Sequence, residues 1–315
     1  MTNLTIINEL AKVAKIHKSS NNFKYRAYLN AINTIDQLEF NITNIDQLNN
    51  LKGIGKGIRK KIEDILIYGK IMDEISHRQD IINLFMNIYG VGEKKAKELY
   101  DKNGIEDLQT LKDNQYVLLN EKQRIGLKYY HPLLKRIPKK EINVHKKMIS
   151  KLWMNDLNNI PKLFKFEIVG SYRRESETSG DIDILITYDE HLCLMPKLID
   201  ELLRANYMIE ILAEGEKKFM GICKLPNLSP RRIDILWTSP SEYPFALLYF
   251  TGNDNYNRNM REFANKKGYK LNEKRLISLH NKKVPIFKSE EEICNFLGLP
   301  YLHPSQRNGP LFLQK

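Results

Sequence analysis

Residues 170–186 read G-S-Y-R-R-E-S-E-T-S-G-D-I-D-I-L-I. The run D-I-D-I-L-I (181–186) begins by alternating acidic and apolar residues, the pattern of a strand with one buried face. Period-two geometry puts Asp181 and Asp183 on one face and Ile182 and Ile184 on the other, with the acidic Cα atoms ~7 Å apart. Two unpaired carboxylates in a buried strand would cost several kcal/mol, so their placement calls for a counter-charge. Hard oxygen donors so arranged suit Mg²⁺, or Mn²⁺ as a substitute. A separate β-rich run, R-R-I-D-I-L-W (231–237), offers a third carboxylate in Asp234. Two ions held ~4 Å apart by such a set can activate a hydroxyl and stabilise a leaving pyrophosphate in an in-line displacement. A solvated edge strand explains a lone D-x-D. It does not explain Gly170-Ser171, Arg173, Arg174 and Ser179-Gly180 just upstream, which are small and cationic groups suited to a triphosphate.

Working outward, K-F-E-I-V (165–169) reads as a strand ending at Gly170, and helical stretches are expected near 196–205, 257–267 and 289–297. Short strands alternating with helices indicate an α+β or α/β sheet domain. Residues 1 to about 130 instead look helical, with Lys-rich faces and Asn- or Gly-marked turns. The first helix carries Leu4, Ile7, Leu10, Ala11 and Ala14 at helical spacing and lacks the basic start and cleavage site of a signal peptide. Boundaries are expected near 80, 138 and 240, giving segments 1–80, 81–138, 139–240 and 241–315.

A net charge of +12 points to a polyanionic partner, with DNA, RNA and anionic membrane all open on charge alone. No apolar run approaches the ~20 residues needed to span a bilayer. Cys193, Cys223 and Cys294 are too few and too scattered for a disulfide framework or a zinc site, which fits a reducing, intracellular compartment.

Two segments of the helical region share one frame: L-K-G-I-G-K-G-I-R-K-K-I (51–62) and I-Y-G-V-G-E-K-K-A-K-E-L (88–99). In each, Gly-x-Gly (Gly53 and Gly55; Gly90 and Gly92) allows a turn with outward N–H groups, and the next helix adds its positive end. Lysines in the first turns (Lys56 and Lys60; Lys94 and Lys95) supply charge, so each unit can grip a phosphate without reading a base. The pair resembles helix-hairpin-helix DNA-binding motifs, whose turn carbonyls (Asn49, Leu51 and Ile54; Met86, Ile88 and Val91) are candidates for a Na⁺ or K⁺ ion. On the helix 56–68, Ile58, Ile62, Ile65 and Leu66 form the apolar stripe with Lys61 at its edge. Partial desolvation and crowding by Lys56, Arg59 and Lys60 both favour the neutral amine needed for a Schiff base. The alternative is one more phosphate-facing lysine.

With these residues in place the chain resembles a family X DNA polymerase. The resemblance rests on G-S-Y-R-R…S-G-D-I-D, R-R-I-D-I, L-Y-F-T-G-N-D-N-Y-N-R-N-M-R, K-F-M-G-I-C-K-L-P, Q-R-I-G-L-K-Y-Y and the two hairpins, in that family's order. It implies an α+β multidomain chain. A helical lyase-type domain with two helix-hairpin-helix motifs precedes a nucleotidyltransferase-fold polymerase domain of fingers, palm and thumb. It further implies that Asp181, Asp183 and Asp234 bind two Mg²⁺ ions, and that Asp234 helps activate the primer 3′-hydroxyl. By the same resemblance, Arg136, Ser171, Arg174, Ser179 and Gly180 hold the triphosphate. Tyr249, Phe250 and Gly252 line the sugar, and Asp254 and Asn257 contact the base. Arg232 lies near the primer terminus, with Lys218 and Arg261 toward the template. Lys61 falls at the lyase nucleophile, with Lys24 and Tyr28 at its 5′-phosphate pocket. The chain departs from the family pattern at Gly57 and Phe23, where a lysine and a histidine are expected, and at Leu236 and Lys274, where an arginine and a tyrosine are.

The implied activities are gap-filling synthesis on gapped or nicked duplex DNA with dNTPs, and removal of 5′-deoxyribose phosphate, as in base excision repair. A monomer is expected, with a DNA ligase or an AP endonuclease as partners and a nuclear or viral location. A template-independent nucleotidyltransferase and a DNA-binding module without catalysis are the alternatives, separated by primer extension with and without template.

Overall fold

The computed structural model describes residues 2–18, 21–49, 51–71, 74–156 and 164–309. The chain forms two compact units that divide between Leu127 and Lys128.

In the first unit, α1 (Asn3–His17) and α2 (Asn22–Asp36) pack side by side, and α3 (Lys56–Tyr68) closes a core of Ile6, Leu10, Ala31, Ile35, Ile62 and Ile65. The buried stripe of α1 is Ile6, Leu10, Val13, Ala14 and His17. Leu4, expected on that stripe, is 64% exposed. Both sets satisfy three- and four-residue spacing, and packing against α2 selects between them. Helix α2 starts where the Asn21 side chain accepts a hydrogen bond from the Lys24 N–H, satisfying one of the free donors of a helix start. Helix α4 (Glu74–Met86) and α5 (Glu93–Asp101) form the second hairpin. The short helices α6 (Leu108–Asp113), α7 (Gln115–Leu118) and α8 (Glu121–Lys128) follow. Gly126 of α8 lies so close to the hairpin that a Cβ would sit 2.3 Å from the Tyr89 carbonyl oxygen.

The second unit begins with α9 (Tyr130–Leu134), β1 (Ile137–Pro138) and α10 (Lys139–Asp156). The change of texture at Pro138 therefore falls about ten residues inside this unit, because Lys128 and Tyr129 already hydrogen-bond Glu210 of the sheet. Its sheet has the order β2-β4-β7-β6-β5. The strands are β2 (Lys165–Ile168), β4 (Ile182–Thr187), β5 (Met208–Glu214), β6 (Lys218–Cys223) and β7 (Arg231–Thr238). Helix α11 (Gly170–Arg173) and β3 (Thr178–Ser179), which pairs with β1, connect β2 to β4. The central pair β4–β7 is parallel and the other pairs are antiparallel. One face of the sheet, carrying Ile182, Ile184, Ile186, Ile233 and Ile235, is buried under α10 and α12 (Leu194–Arg204) with Ile142, Ile149, Trp153, Leu198 and Leu202. Alternation then turns Asp183 and Asp234 to the opposite face.

Helices α13 (Tyr243–Thr251), α14 (Asp254–Lys266) and α15 (Glu290–Leu297) and the ribbon β8 (Tyr269–Leu271) with β9 (Leu276–Ser278) share a core of Tyr256, Met260, Ile293 and Leu297. A buried carboxylate anchors this part. Glu290 accepts from Arg173 at 2.7 and 3.0 Å and from Arg307 at 2.6 Å. Burial pushes the Glu290 carboxyl up, yet the two guanidiniums hold it below its usual range.

Under the sheet, His145 is fully buried, with Nδ1 2.6 Å from the Tyr207 hydroxyl and Nε2 3.7 Å from Glu141. Cys223 Sγ lies 3.9 Å from the same Nδ1, and Arg231 binds Glu141 with two hydrogen bonds. Burial depresses the imidazole to about 4, so it is neutral at pH 7. An unfolded histidine titrates near ~6.5, so the unfolded chain takes up a proton that the native one refuses. Stability from this site is complete above that pH, declines as pH falls toward 4, and amounts to on the order of 3 kcal/mol. Urea unfolding from pH 7 to 4 should show a shallower decline in His145→Gln than in the wild type. Parallel curves would mean that His145 does not titrate on unfolding.

Candidate active site

Parallel register places Asp183 directly across from Asp234. Asp234 is 6% exposed, and its Oδ1 has no hydrogen-bond partner. Burial, and then the Asp234 charge, push the Asp183 carboxyl up to about 6, against the pull of Lys218 and Arg174. Lys218 Nζ lies 3.6 Å from Asp234 Oδ2, and Arg232 Nε lies 3.9 Å from its Oδ1. These contacts offset only part of a like-charge pair at the centre of a sheet.

Asp181 is joined to the pair through Arg232, whose Nε lies 3.9 Å from Asp234 Oδ1. It sits on the bend before β4, outside the ladder, whose first paired residue is Ile182. Its carboxylate is bound by the Arg232 guanidinium. Strand β4 thus begins one residue after Asp181, and the parallel register carried back one residue sets Asp181 across from Arg232. Among the described residues, no three acidic, histidine or cysteine side chains gather tightly enough to hold a metal ion as they stand. The residues nonetheless fit a hard cation. Asp234 Oδ1 is a buried acceptor without a donor, and Asp183 Oδ2 reaches to within 2.5 Å of where a Cβ on Gly170 would lie. Only glycine leaves that carboxylate its place, and Gly170 also has φ +60.

Beside the carboxylates, Ser171 Oγ donates to the buried Ser179 Oγ at 2.8 Å. Arg136 reaches Thr178 through Nε at 3.1 Å and Nη2 at 2.6 Å, and its Nη1 would lie 3.7 Å from a Cβ on Gly180. Arg174 is oriented by Asn308 Oδ1 and the Thr251 carbonyl, each at 2.9 Å. Ser171 is thus tied to Ser179, Arg136 lies against Thr178 and Gly180, and Arg174 acts on Asp183. Sequence reasoning passed over Thr251, Asn308 and Glu290, because contacts from the chain's far end leave no local signature. Arg173 was visible beside Arg174, but its role is the structural bond to Glu290.

Tyr249 and Phe250 close α13 in an edge-to-face pair 5.1 Å apart, and Gly252 caps the helix. A Cβ there would meet Asn257 Oδ1 and Tyr256 Cδ1 at 2.6 Å. Asn257 donates through Nδ2 to the Tyr249 and Gly252 carbonyls at 2.7 and 3.2 Å, which locks this turn. Asp254 opens α14, and Arg261 lies beside Tyr249 and Asn257.

In the first unit, Lys24, Tyr28, Gly53, Gly55, Lys60 and Lys61 line one cavity of about 570 Å³, with Gly57 and Asp64. Burial lowers the Lys61 amine; Asp64 opposes that, and Lys24 and Lys60 add to it. The crowding charges are thus Lys24 and Lys60, whereas Arg59 turns to Asp46 at 3.9 Å. In both hairpins the first glycine is left-handed, Gly53 at φ +91 and Gly90 at φ +83, and the second caps the next helix. Lys95 is bound to Glu98 at 2.8 Å, while Lys94 is exposed. Gln123 donates to the Gly90 carbonyl at 3.0 Å, and the Ile88 carbonyl accepts the Val91 N–H at 3.0 Å.

Four family models match in succession: a helix-hairpin-helix domain over 1–71, the fingers domain of DNA polymerase lambda over 83–134, the DNA polymerase beta palm over 136–240 and the DNA polymerase beta thumb over 246–308. The chain is 31% identical to DNA polymerase lambda of Rattus norvegicus, over 97% of its own length and 56% of that protein. It is 31% identical to DNA polymerase lambda of Arabidopsis thaliana, over 90% of its own length and 57% of that one. It thus spans a little over half the length of these curated relatives. The acidic pair on adjacent parallel strands, the two glycine hairpins and this ordered series of matches agree, and the chain belongs to the family X DNA polymerases.

Proposed function

We propose that the chain is a repair-type DNA-directed DNA polymerase that fills short gaps with dNTPs, and that its first unit removes 5′-deoxyribose phosphate. The supporting observation is the parallel register that sets the buried Asp183 and Asp234 side by side, next to a cluster of serine, glycine and arginine donors. We assign segment 1–80 to the lyase-like region, 81–138 to a DNA-binding subdomain, 139–240 to the catalytic palm and 241–315 to the nucleotide-binding part.

Family X polymerases generally use divalent metals; the ions assigned here are two Mg²⁺, replaceable by Mn²⁺. Asp183 and Asp234 would hold them, with Asp181 as the third carboxylate. When bound, such ions would activate the primer 3′-hydroxyl and stabilise the departing pyrophosphate. Asp234 Oδ1 accepts the hydroxyl proton, since it is the buried acceptor with no donor of its own. Ser171, Ser179, Gly180, Arg136 and Arg174 bind the triphosphate, with Asn308 and the Thr251 carbonyl fixing the aim of Arg174. Tyr249, Phe250 and Gly252 form the sugar wall. Asn257 acts by holding that wall rigid, while Asp254 faces the base. Lys218 and Arg261 lie toward the template, and Arg232 toward the primer terminus. In the first unit, the neutral Lys61 amine attacks the sugar aldehyde, and Lys24, Tyr28 and Lys60 take the 5′-phosphate. The hairpin N–H groups and Lys56 and Lys94 grip the DNA backbone, with Na⁺ or K⁺ at the turn carbonyls.

Gap filling on a 5′-deoxyribose-phosphate substrate scores both activities in one reaction. Asp183→Ala should lower nucleotide incorporation by at least about a thousandfold while sparing 5′-phosphate removal; loss of both together would refute separate sites. Lys61→Ala should remove the borohydride-trapped adduct with an abasic substrate and leave incorporation intact. Trapping at the wild-type level would assign the chemistry to another amine.

A further inference from the structure

The cavity that holds Lys61 carries a second reactive group. Asp64 lines it too, and among the described residues it is the only carboxylate that does. Asp64 is half-buried and follows Lys61 by three positions on α3. Side chains so spaced share a helix face, with Cβ atoms about 5–6 Å apart. The two are close enough that the Asp64 charge acts on the Lys61 amine, against the net lowering by burial. A Schiff base alone does not release a sugar phosphate, because the carbon beside it must also lose a proton. The other ionisable groups of the lining do not suit that step. Lys24 and Lys60 are cations, and burial pushes the Tyr28 phenol up, so it stays protonated at neutral pH. His17 stacks on the Tyr28 ring with centroids 5.8 Å apart and is not part of the lining.

We propose that Asp64 is the general base of 5′-deoxyribose phosphate removal, taking the C2′ proton of the sugar once its C1′ is bound to Lys61; this rests on the lyase reading of the first unit. Lys61 Nζ and the C1′ aldehyde condense with loss of water to an iminium, a cation that the neighbouring carboxylate stabilises. Asp64 then takes a proton from C2′. The C–H electron pair forms a C1′–C2′ double bond, and the iminium π pair moves onto nitrogen. Return of that pair forms the C2′–C3′ double bond and breaks C3′–O, whose electrons leave with the phosphate of the downstream strand. Water hydrolyses the unsaturated iminium, freeing Lys61 and the sugar phosphate, and Asp64 gives its proton to solvent. No oxidant or reductant is consumed.

The test uses the full chain on a gapped duplex with a 5′-deoxyribose phosphate, in single turnover, and reads two steps apart. The borohydride-trapped adduct reports condensation, and release of the sugar phosphate reports elimination. Asp64→Asn should still form the adduct and accumulate it, because losing a general base slows release by at least about a hundredfold. Adduct formation also shows that the first unit of the variant is folded. Formate should speed release by Asp64→Ala and leave the wild type unchanged, since a small carboxylate takes the place of the missing base; no rescue would overturn the role. Wild-type release by Asp64→Asn, with the adduct intact, would overturn the proposal and leave the Lys61 chemistry standing. Loss of adduct and release together would also overturn it, making Asp64 a support for the amine. A wild-type chain that forms no adduct would remove the lyase reading itself, and the inference with it.

Discussion

The parallel pairing of β4 with β7 forces Asp183 against Asp234, and the surroundings of that contact follow from it. Two carboxylates abreast in a sheet repel, and their burial raises the cost of holding both charged. The protein answers with cations at its edges, Lys218 at 3.6 Å and Arg232 at 3.9 Å, rather than with close, bidentate partners. Such partial compensation leaves Asp234 Oδ1 without a donor, and a site left in that state is poised for a cation. The neighbouring donors are held by contacts from distant parts of the unit. Arg173 bonds Glu290 of α15, and Arg174 bonds Asn308. Together these bonds clamp the short α11, whose Gly170 must stay free of a side chain for Asp183 to fit.

The first unit applies the same electrostatics with the sign reversed. Lys24, Lys60 and Lys61 converge on one cavity beside two glycine turns, and burial lowers the Lys61 amine. Gathered ammonium groups suit a phosphate, and the one pressed into the apolar edge suits an aldehyde. Gly57 presents open space at the cavity wall, so the cations that line it are Lys24, Lys60 and Lys61.

Much of this was legible along the chain, because strands and hairpins are local. D-I-D-I-L-I and R-R-I-D-I-L-W alternate cleanly, and they form β4 and β7 within one or two residues of expectation. The repeated Gly-x-Gly frame gives two turns with matching backbone. What was not legible depends on register or on distant partners. The lateral pairing of Asp183 with Asp234 is a property of two strands far apart in sequence. The bend at Asp181 depends on where the ladder starts, and the choice of Ile6 over Leu4 depends on α2. The bonds from the Asn257 amide to the Tyr249 and Gly252 carbonyls likewise join groups whose proximity the sequence does not show.

Thermal unfolding with and without Mg²⁺, in the wild type and in Asp234→Asn, tests the carboxylate pair most directly. If the two acids are held together for a cation, Mg²⁺ raises the wild-type midpoint, because an ion that binds only the native state stabilises it. Asp234→Asn removes the repulsion, so without Mg²⁺ it should be at least as stable as the wild type and should barely respond to the ion. A variant less stable than the wild type in the absence of Mg²⁺, or one that Mg²⁺ stabilises equally, would contradict a cation-binding role for the pair.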